Sequence, residues 1–423
     1  MRTIDANMAD RPQNWAGNIV FSTGHVERPA SVEELQDVLH RADKARVLGS
    51  GHSFNPIADT DGVLISLAAL TGIRKIDHAA RTVTIEGGTT YAQLLPALHA
   101  AGYALENLAS LPHITVAGAV STATHGSGNG NSNLAAAVAG LELVTANGEI
   151  IRRQRGDADF DGMAVSLGAL GVVSALTLDV VPAFDIRQTV YLDLPLETLL
   201  ANFDAVTGAA YSVSLFTRWQ GDHIDQVWVK ALATAGEPSE TLFGAPAADA
   251  PRHPLPGMDP GNCTPQMGVA GPWHERLLHF PIGFLASAGA ELQSEHFVSR
   301  TVATQAIQAL RAVQARFAPA LFASEIRTIA SDTLWLSTAQ GQDAVGFHFT
   351  WKPEWERTLD AVRCVEEALA PFAPRPHWAK VFTLPADMVR ARYPRLPDFV
   401  ALANRLDPGG KFRNRFVDDL LFG

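Results

Sequence analysis

Leu48-Gly49-Ser50-Gly51-His52-Ser53-Phe54 follows directly on the β-rich run Ala45–Leu48, and the reading of this junction decides the fold. Glycine lets a backbone turn sharply and approach a ligand closely, and successive N–H groups in such a turn form a concavity for an anion. A pyrophosphate suits that physics. A lone GSG loop is a weak signal, because many tight turns share it. A second stretch, Ser110-Leu111-Pro112-His113-Ile114-Thr115-Val116-Ala117-Gly118-Ala119-Val120-Ser121-Thr122-Ala123-Thr124-His125-Gly126-Ser127-Gly128, is dense in small residues, hydroxyls and glycine. Small side chains leave space for a flat ring system, and hydroxyls donate to phosphate and ribityl oxygens. A small-residue contact between helix and sheet would have the same composition, so the two stretches count together.

Outward from these loops, residues 19–182 alternate short β-rich runs with helices. Strands are predicted at Ala45–Leu48, Val63–Ser66, Ile73–Asp77, Thr82–Glu86, Leu141–Thr145 and Ser174–Val180, and helices at Ser31–Arg41 and Tyr91–Ala100. Ser31 followed by Glu33 and Glu34 reads as an N-cap with acid in the first turn. The mixture and its many tight turns predict an α+β fold. After Pro182 come strands at Ile186–Leu192 and Gln226–Leu232, then a Pro/Gly/Ala-rich loop, Gly236–Pro272. A helical stretch, Ser294–Phe317, precedes strands at Ala323–Ile329 and Ala344–Trp351 and a helix at Trp355–Phe372.

Composition narrows the functional class. A chain of 423 residues with 47% hydrophobic and 18% charged residues is globular, with room for two or three domains. A net charge of −11 argues against nucleic acid or an anionic membrane as partner. Cys263 and Cys364 offer neither a disulfide framework nor a zinc spacing, and no metal site is expected. The N-terminal residues lack a signal-peptide pattern and no run is long enough to span a bilayer, so a cytoplasmic protein is expected.

Three further segments carry polar side chains where chemistry could use them. Glu325 and Arg327, two apart in a strand, share one face and could hold neighbouring hydroxyls, Glu accepting and Arg donating. His348 and Thr350 share a face opposite Phe347, Phe349 and Trp351. Arg375-Pro376-His377-Trp378-Ala379-Lys380 ends on a lysine that, if buried, could stabilise developing negative charge. A solvated ion pair, a core histidine and a surface lysine are the bland alternatives.

These motifs, together with Asn14-Trp15, Gly168-Ala169-Leu170-Gly171-Val172-Val173 and Leu406-Asp407-Pro408-Gly409-Gly410-Lys411-Phe412-Arg413-Asn414, run in one order over nearly the whole chain. In that order they resemble the vanillyl-alcohol oxidase family of FAD-binding flavoproteins, and within it the alditol oxidases. The resemblance implies a two-subdomain FAD-binding domain, residues 1–182 completed by 386–423, and a substrate-binding cap, 183–385, with an antiparallel sheet roofing the flavin. It implies FAD bonded covalently to His52, with Ser50, Gly51, Ser53, Ser110, Gly118, Ser121, Thr122, Thr124, His125, Gly126, Gly171 and Val173 around it. A phosphate-contacting histidine is the alternative for His52. Relatives with two covalent links need a cysteine in the FAD domain; both cysteines here lie outside it, so one link is expected. His113 precedes a strand-like run and is expected to hydrogen-bond within its domain.

The resemblance places Ser110, Glu325, Arg327, Thr350, His348 and Lys380 around the substrate, the last two as catalytic groups. It implies oxidation of a terminal alcohol of a polyol such as xylitol, sorbitol or glycerol to the aldehyde, with O2 reduced to hydrogen peroxide. Sugar-1,4-lactone oxidases and dehydrogenases share the Glu-x-Arg and His-Trp-x-Lys elements, and the HFT strand favours the polyol. A flavoprotein for binding or light sensing is the non-enzymatic alternative. Ala109, small and beside Ser110, would leave a path for oxygen. The partners expected are the polyol and O2, and a monomer is the working expectation for a sequence that leaves oligomeric state open.

Overall fold

The computed structural model describes residues 11–284 and 291–423. The GSGHSF loop leaves the end of a small parallel sheet ordered Val26–Glu27, Val63–Ile65, Ala45–Val47. Helix Val32–Arg41 buries Leu35, Val38 and Leu39 against it. The helix begins where the Ser31 side chain accepts from the Glu34 N–H, and Glu33 and Glu34 complement the positive end of its dipole. A second, antiparallel sheet runs Ile73–Asp77, Thr82–Glu86, Val172–Asp179, Val138–Val144, Ile150–Gln154. Helix Tyr91–Ala100, opened by a reciprocal Thr90–Gln93 capping box, puts Leu94, Leu95 and Leu98 in one core with Val83 and Ile85.

The largest sheet is ordered Gly271–Pro272, Asp185–Pro195, His223–Leu232, Ser212–Thr217, Leu321–Ala330, Ala344–Trp351, Leu292–Ser299, Arg375–Pro376. These neighbours pair antiparallel, while Gly128–Ser132, from the second glycine-rich stretch, joins Leu321–Ala330 in parallel. One face of the sheet is apolar. Phe347, Phe349 and Trp351 share a core with Ile307 and Leu310 of helix Ala303–Phe317 and with Val362 and Val365 of helix Trp355–Leu369. Phe349 and Trp351 stack at 5.1 Å, with Phe317 edge-on to both. A strand's period of two then turns His348 and Thr350 to the opposite face.

Two local expectations are corrected. Ser294–Phe317 is not one helix: Leu292–Ser299 is a strand, and the helix is Ala303–Phe317. The strand is hydrogen-bonded on both sides, to Ala344–Trp351 and to Arg375–Pro376, and such pairing outweighs the weak local preference of its Ser and Glu residues. The run after His113 is a short helix, Val116–Ser121, not a strand. The segment 236–272 is largely irregular, broken by the paired Thr241–Leu242 and Ala245–Pro246 and the turn Pro260–Asn262.

The C-terminal motif folds back onto the start of the chain. Ala45 N–H donates to Lys411 O at 3.0 Å, and Asn414 Nδ2 donates to Pro56 O and Asp59 O. The buried Arg46 guanidinium donates to Leu167 O, Gly168 O, Phe412 O and Ile57 O. Burial lowers its pKa to about 10, which still leaves it charged at neutrality and well met by four carbonyls. Both cysteines are buried and unpaired. Among the described residues no helix is long and apolar enough to cross a membrane.

Candidate active site

A cavity of about 800 Å³ separates the glycine loops from the polar face of the large sheet, toward the upper end of the roughly 300–1,000 Å³ usual for small-molecule sites. Ser50, Gly51, His52, Ser53, Ser110, Gly118, Ser121, Thr122, Thr124, His125, Gly171 and Val173 all line it. Gly126 stands behind this wall: a Cβ there would meet Asn107 Oδ1 at 2.1 Å and Leu108 O at 2.4 Å.

The wall is bare backbone by necessity. A Cβ on Gly49 or on Gly118 would lie 2.6 Å from Thr115 Oγ1, and one on Gly88 would lie 1.8 Å from Leu67 O. Gly51, at φ +71°, holds a left-handed conformation that favours glycine. The carboxylates among the lining residues, Glu291, Glu295 and Glu325, all belong to the sheet side. Hydroxyls and backbone without an acid fit the diphosphate of FAD, and the volume fits the rest of that cofactor.

His52 is held from below by the Asn14-Trp15 pair. Asn14 Nδ2 donates to Ser53 O at 2.8 Å, Trp15 N–H donates to Gly51 O at 2.8 Å, and the Trp15 ring stacks on the imidazole at 5.0 Å. Burial lowers the His52 pKa, so the ring is neutral and nucleophilic at neutral pH. His113 Nε2 lies 2.7 Å from Phe284 O. Its bond therefore reaches across to the segment after residue 182, contrary to the expectation of a bond within residues 1–182.

On the opposite wall, strand register assembles the polar groups. Phe216, Glu325, His348 and Glu295 are successive partners across four strands. Thr350 sits between Ala323 and Gln293, and Gly346 between Arg327 and Phe297. Gly346 gives the room: a Cβ there would press on Phe297 at 2.9 Å and on Glu295 Oε1 at 3.2 Å.

Glu295 is the hub. Its Oε1 accepts from His125 Nε2 and Arg327 Nη2, each at 3.0 Å, and its Oε2 from Lys380 Nζ at 2.7 Å. Burial would raise its pKa, but Lys380, His125 and Arg327 outweigh that and hold it well below the carboxylate range. Glu325 Oε1 lies 2.8 Å from His279 Nε2, and its Oε2 lies 3.5 Å from Arg327 Nε. Burial opposes ionisation there too, and Arg327 and His279 prevail.

His279 Nδ1 is in turn 3.1 Å from Lys230 Nζ, which also donates to Leu277 O and Leu278 O. Burial pulls Lys230 down to about 7. Three acceptors around one nitrogen nevertheless call for all three ammonium protons, and this geometry favours the charged form.

His348 is pushed down to about 3, by burial first and then by the Lys380 charge, so it is neutral at neutral pH. Its tautomer follows from its neighbours. Gln293 Nε2 donates to Glu291 Oε1, which turns Gln293 Oε1 toward His348 Nε2 at 3.2 Å. Nε2 then carries the hydrogen, and Nδ1, without a partner among the described residues, is the basic nitrogen.

The structure therefore gathers Ser110, Glu325, Arg327, His348, Thr350 and Lys380 on one cavity. It adds Glu295, His279, Gln293 and Glu291 to the lining, and Lys230 beyond it through His279, all of which sequence reasoning missed. Glu295 was hidden by the helical reading of 294–317, although Gln293-x-Glu295 shows the same two-residue spacing as Glu325-x-Arg327. His279, in Leu277-Leu278-His279-Phe280, carried no signal.

Residues 24–153 match a family described as an FAD binding domain, and residues 292–420 one described as D-arabinono-1,4-lactone oxidase. The chain is 51% identical over 419 residues to alditol oxidase of a Streptomyces species, covering 98% of this chain and 100% of that protein. It is 31% identical over 434 residues to L-gulono-1,4-lactone dehydrogenase of Mycobacterium tuberculosis, covering 96% and 98%. Cholesterol oxidase from B. sterolicum superposes with a TM-score of 0.78 at 17% identity, covering 97% and 96%, a likeness of fold. With half its residues shared along its full length, the chain belongs to the FAD-dependent oxidoreductase family, of the vanillyl-alcohol oxidase fold, that includes the alditol oxidases and the sugar-lactone oxidases and dehydrogenases.

Proposed function

We propose that this protein is an FAD-dependent alditol oxidase that converts the terminal CH2OH of a linear polyol to the aldehyde, with O2 reduced to H2O2. The observation that carries this reading is the 51% identity with alditol oxidase over the full length, against 31% with the lactone dehydrogenase. FAD would lie along the glycine-loop wall, against Ser50, Gly51, Ser53, Ser110 and Gly118, and would supply a two-electron hydride acceptor that dioxygen can reoxidise. His52, with its imidazole kept neutral by burial, would be the nucleophile that holds the flavin covalently.

His348 Nδ1 takes the hydroxyl proton, and the Lys380 ammonium, pinned on Glu295, stabilises the alkoxide as it forms. Glu325 accepts from, and Arg327 donates to, hydroxyls further along the chain, with Ser110 and Thr350 as neutral partners. The buried Ala109 beside Ser110 leaves a path for oxygen. Residues 1–182 with 386–423 form the FAD-binding domain and 183–385 the cap, in a monomeric cytoplasmic enzyme.

The second reading is oxidation of a sugar-1,4-lactone, which the match over residues 292–420 favours. A substrate panel scored for peroxide, with xylitol, sorbitol and glycerol beside 1,4-lactones, decides: turnover of lactones alone would overturn the polyol reading. Acid denaturation should leave the yellow colour on the polypeptide, and His52→Ala should release it. Free FAD from the parent protein would remove the covalent bond.

A further inference from the structure

A lysine behind the cavity wall and a histidine in it line up on the carboxylate proposed to read the polyol. Lys230, 1% exposed, lies on His223–Leu232, two strands away from Leu321–Ala330, and has no place in the proton chemistry above. An ammonium only donates, and an ionised carboxylate only accepts. Set between them at 3.1 Å and 2.8 Å, His279 can satisfy both in one state: Nδ1 accepting from Lys230, and Nε2–H donating to Glu325 Oε1. The Trp228 and Phe216 rings, 5.3 and 5.7 Å away, confine the imidazole.

We infer that Lys230 and His279 are a positioning pair that occupies Glu325 Oε1, leaves Oε2 as the one oxygen offered to substrate, and so sets selectivity for alcohols bearing several hydroxyls. This rests on the reading of Glu325 as a hydroxyl-recognition group. Lys230 acts without touching substrate. A carboxylate with both oxygens free could rotate and meet hydroxyls in several registers, whereas a tethered one accepts from a single direction. Ordering it in advance removes that cost from binding.

The test compares His279→Leu, which breaks both bonds, with His279→Gln, whose amide can accept from Lys230 and donate to Glu325. Xylitol binding to the anaerobically reduced holoenzyme is measured by calorimetry, and the limiting rate of flavin reduction by stopped flow. His279→Leu should weaken xylitol binding about tenfold or more and move the limiting rate less than about threefold. His279→Gln should bind within about threefold of the parent, and Lys230→Met should follow His279→Leu.

Parent-like binding by His279→Leu, or a His279→Gln variant as weak as His279→Leu, overturns the pairing. If His279→Leu loses its flavin, Lys230→Met decides on the same threshold. A parent that neither binds nor is bleached by any polyol overturns the proposed function and this inference together. A parent that is bleached, with variants that bind normally, overturns the inference alone.

Discussion

The two walls of the cavity are built in opposite ways. The glycine-loop wall is local: Gly49 to Ser53 and Ser110 to His125 are nearly continuous stretches, and their work falls to backbone and small hydroxyls. The sheet wall is long-range. Its polar groups come from Leu292–Ser299, Leu321–Ala330, Ala344–Trp351, the loop at His279 and the segment ending at Lys380; antiparallel register aligns Glu295, His348 and Glu325, and hydrogen bonds from Lys380 and His279 complete the set. The first wall tolerates error in side-chain identity but not in side-chain size. The second tolerates neither, because each buried charge depends on its partner.

The sharpest way to separate the walls is to remove the base from one and leave the other intact. His348→Ala should slow anaerobic flavin reduction by about 10²–10⁴-fold, with flavin still bound. Since His348 is pushed down to about 3, the parent's reduction rate should be flat across neutral pH as far as this group is concerned. A parent-like rate in His348→Ala would reduce His348 to a piece of wall.

Glu295 tests the interdependence of the sheet wall. Glu295→Ala strands the Arg327 and Lys380 cations in a buried site and should cost about 3–5 kcal/mol of stability, read as a fall in the unfolding midpoint. Glu295→Gln keeps an acceptor oxygen and should cost less. A loss under about 1 kcal/mol in the alanine variant would mean the hub is not holding its partners.

The loop wall should break by size alone. Gly49→Ala puts a methyl 2.6 Å from Thr115 Oγ1 and should cost about 1–3 kcal/mol by overpacking, seen as reduced flavin loading. The double variant with Thr115→Ala, which removes that hydroxyl, should recover most of it. No recovery would show that the crowding lies elsewhere.

Acid should act on the sheet wall first. His348 and His279 fall from an ordinary 6.5 to about 3 and about 4 in the folded protein. Between those values and 6.5 the unfolded chain binds more protons than the folded one. The stability they contribute is complete above about pH 6.5 and is lost as pH falls through 4 and 3. Urea midpoints at pH 7 and 5 should differ in that direction, and the difference should shrink in His279→Gln.

The sequence by itself determined the parts whose physics is local. The GSG turn, the Ser31 cap, the small-residue stretch and the two-residue spacing of Glu325 with Arg327 are each legible within a few residues, as are most strand positions. Backbone conformation and strand alternation are set by near neighbours, which is why Ile73–Asp77, Thr82–Glu86 and Tyr91–Ala100 fall where the pattern puts them. Only the tertiary structure decided that 292–299 is a central strand, that Glu295 binds His125, Arg327 and Lys380 together, and that Lys230 and His279 stand behind Glu325. A side chain's partner across a sheet is fixed by register between segments far apart in the chain, and its protonation state by burial that no short window of sequence contains.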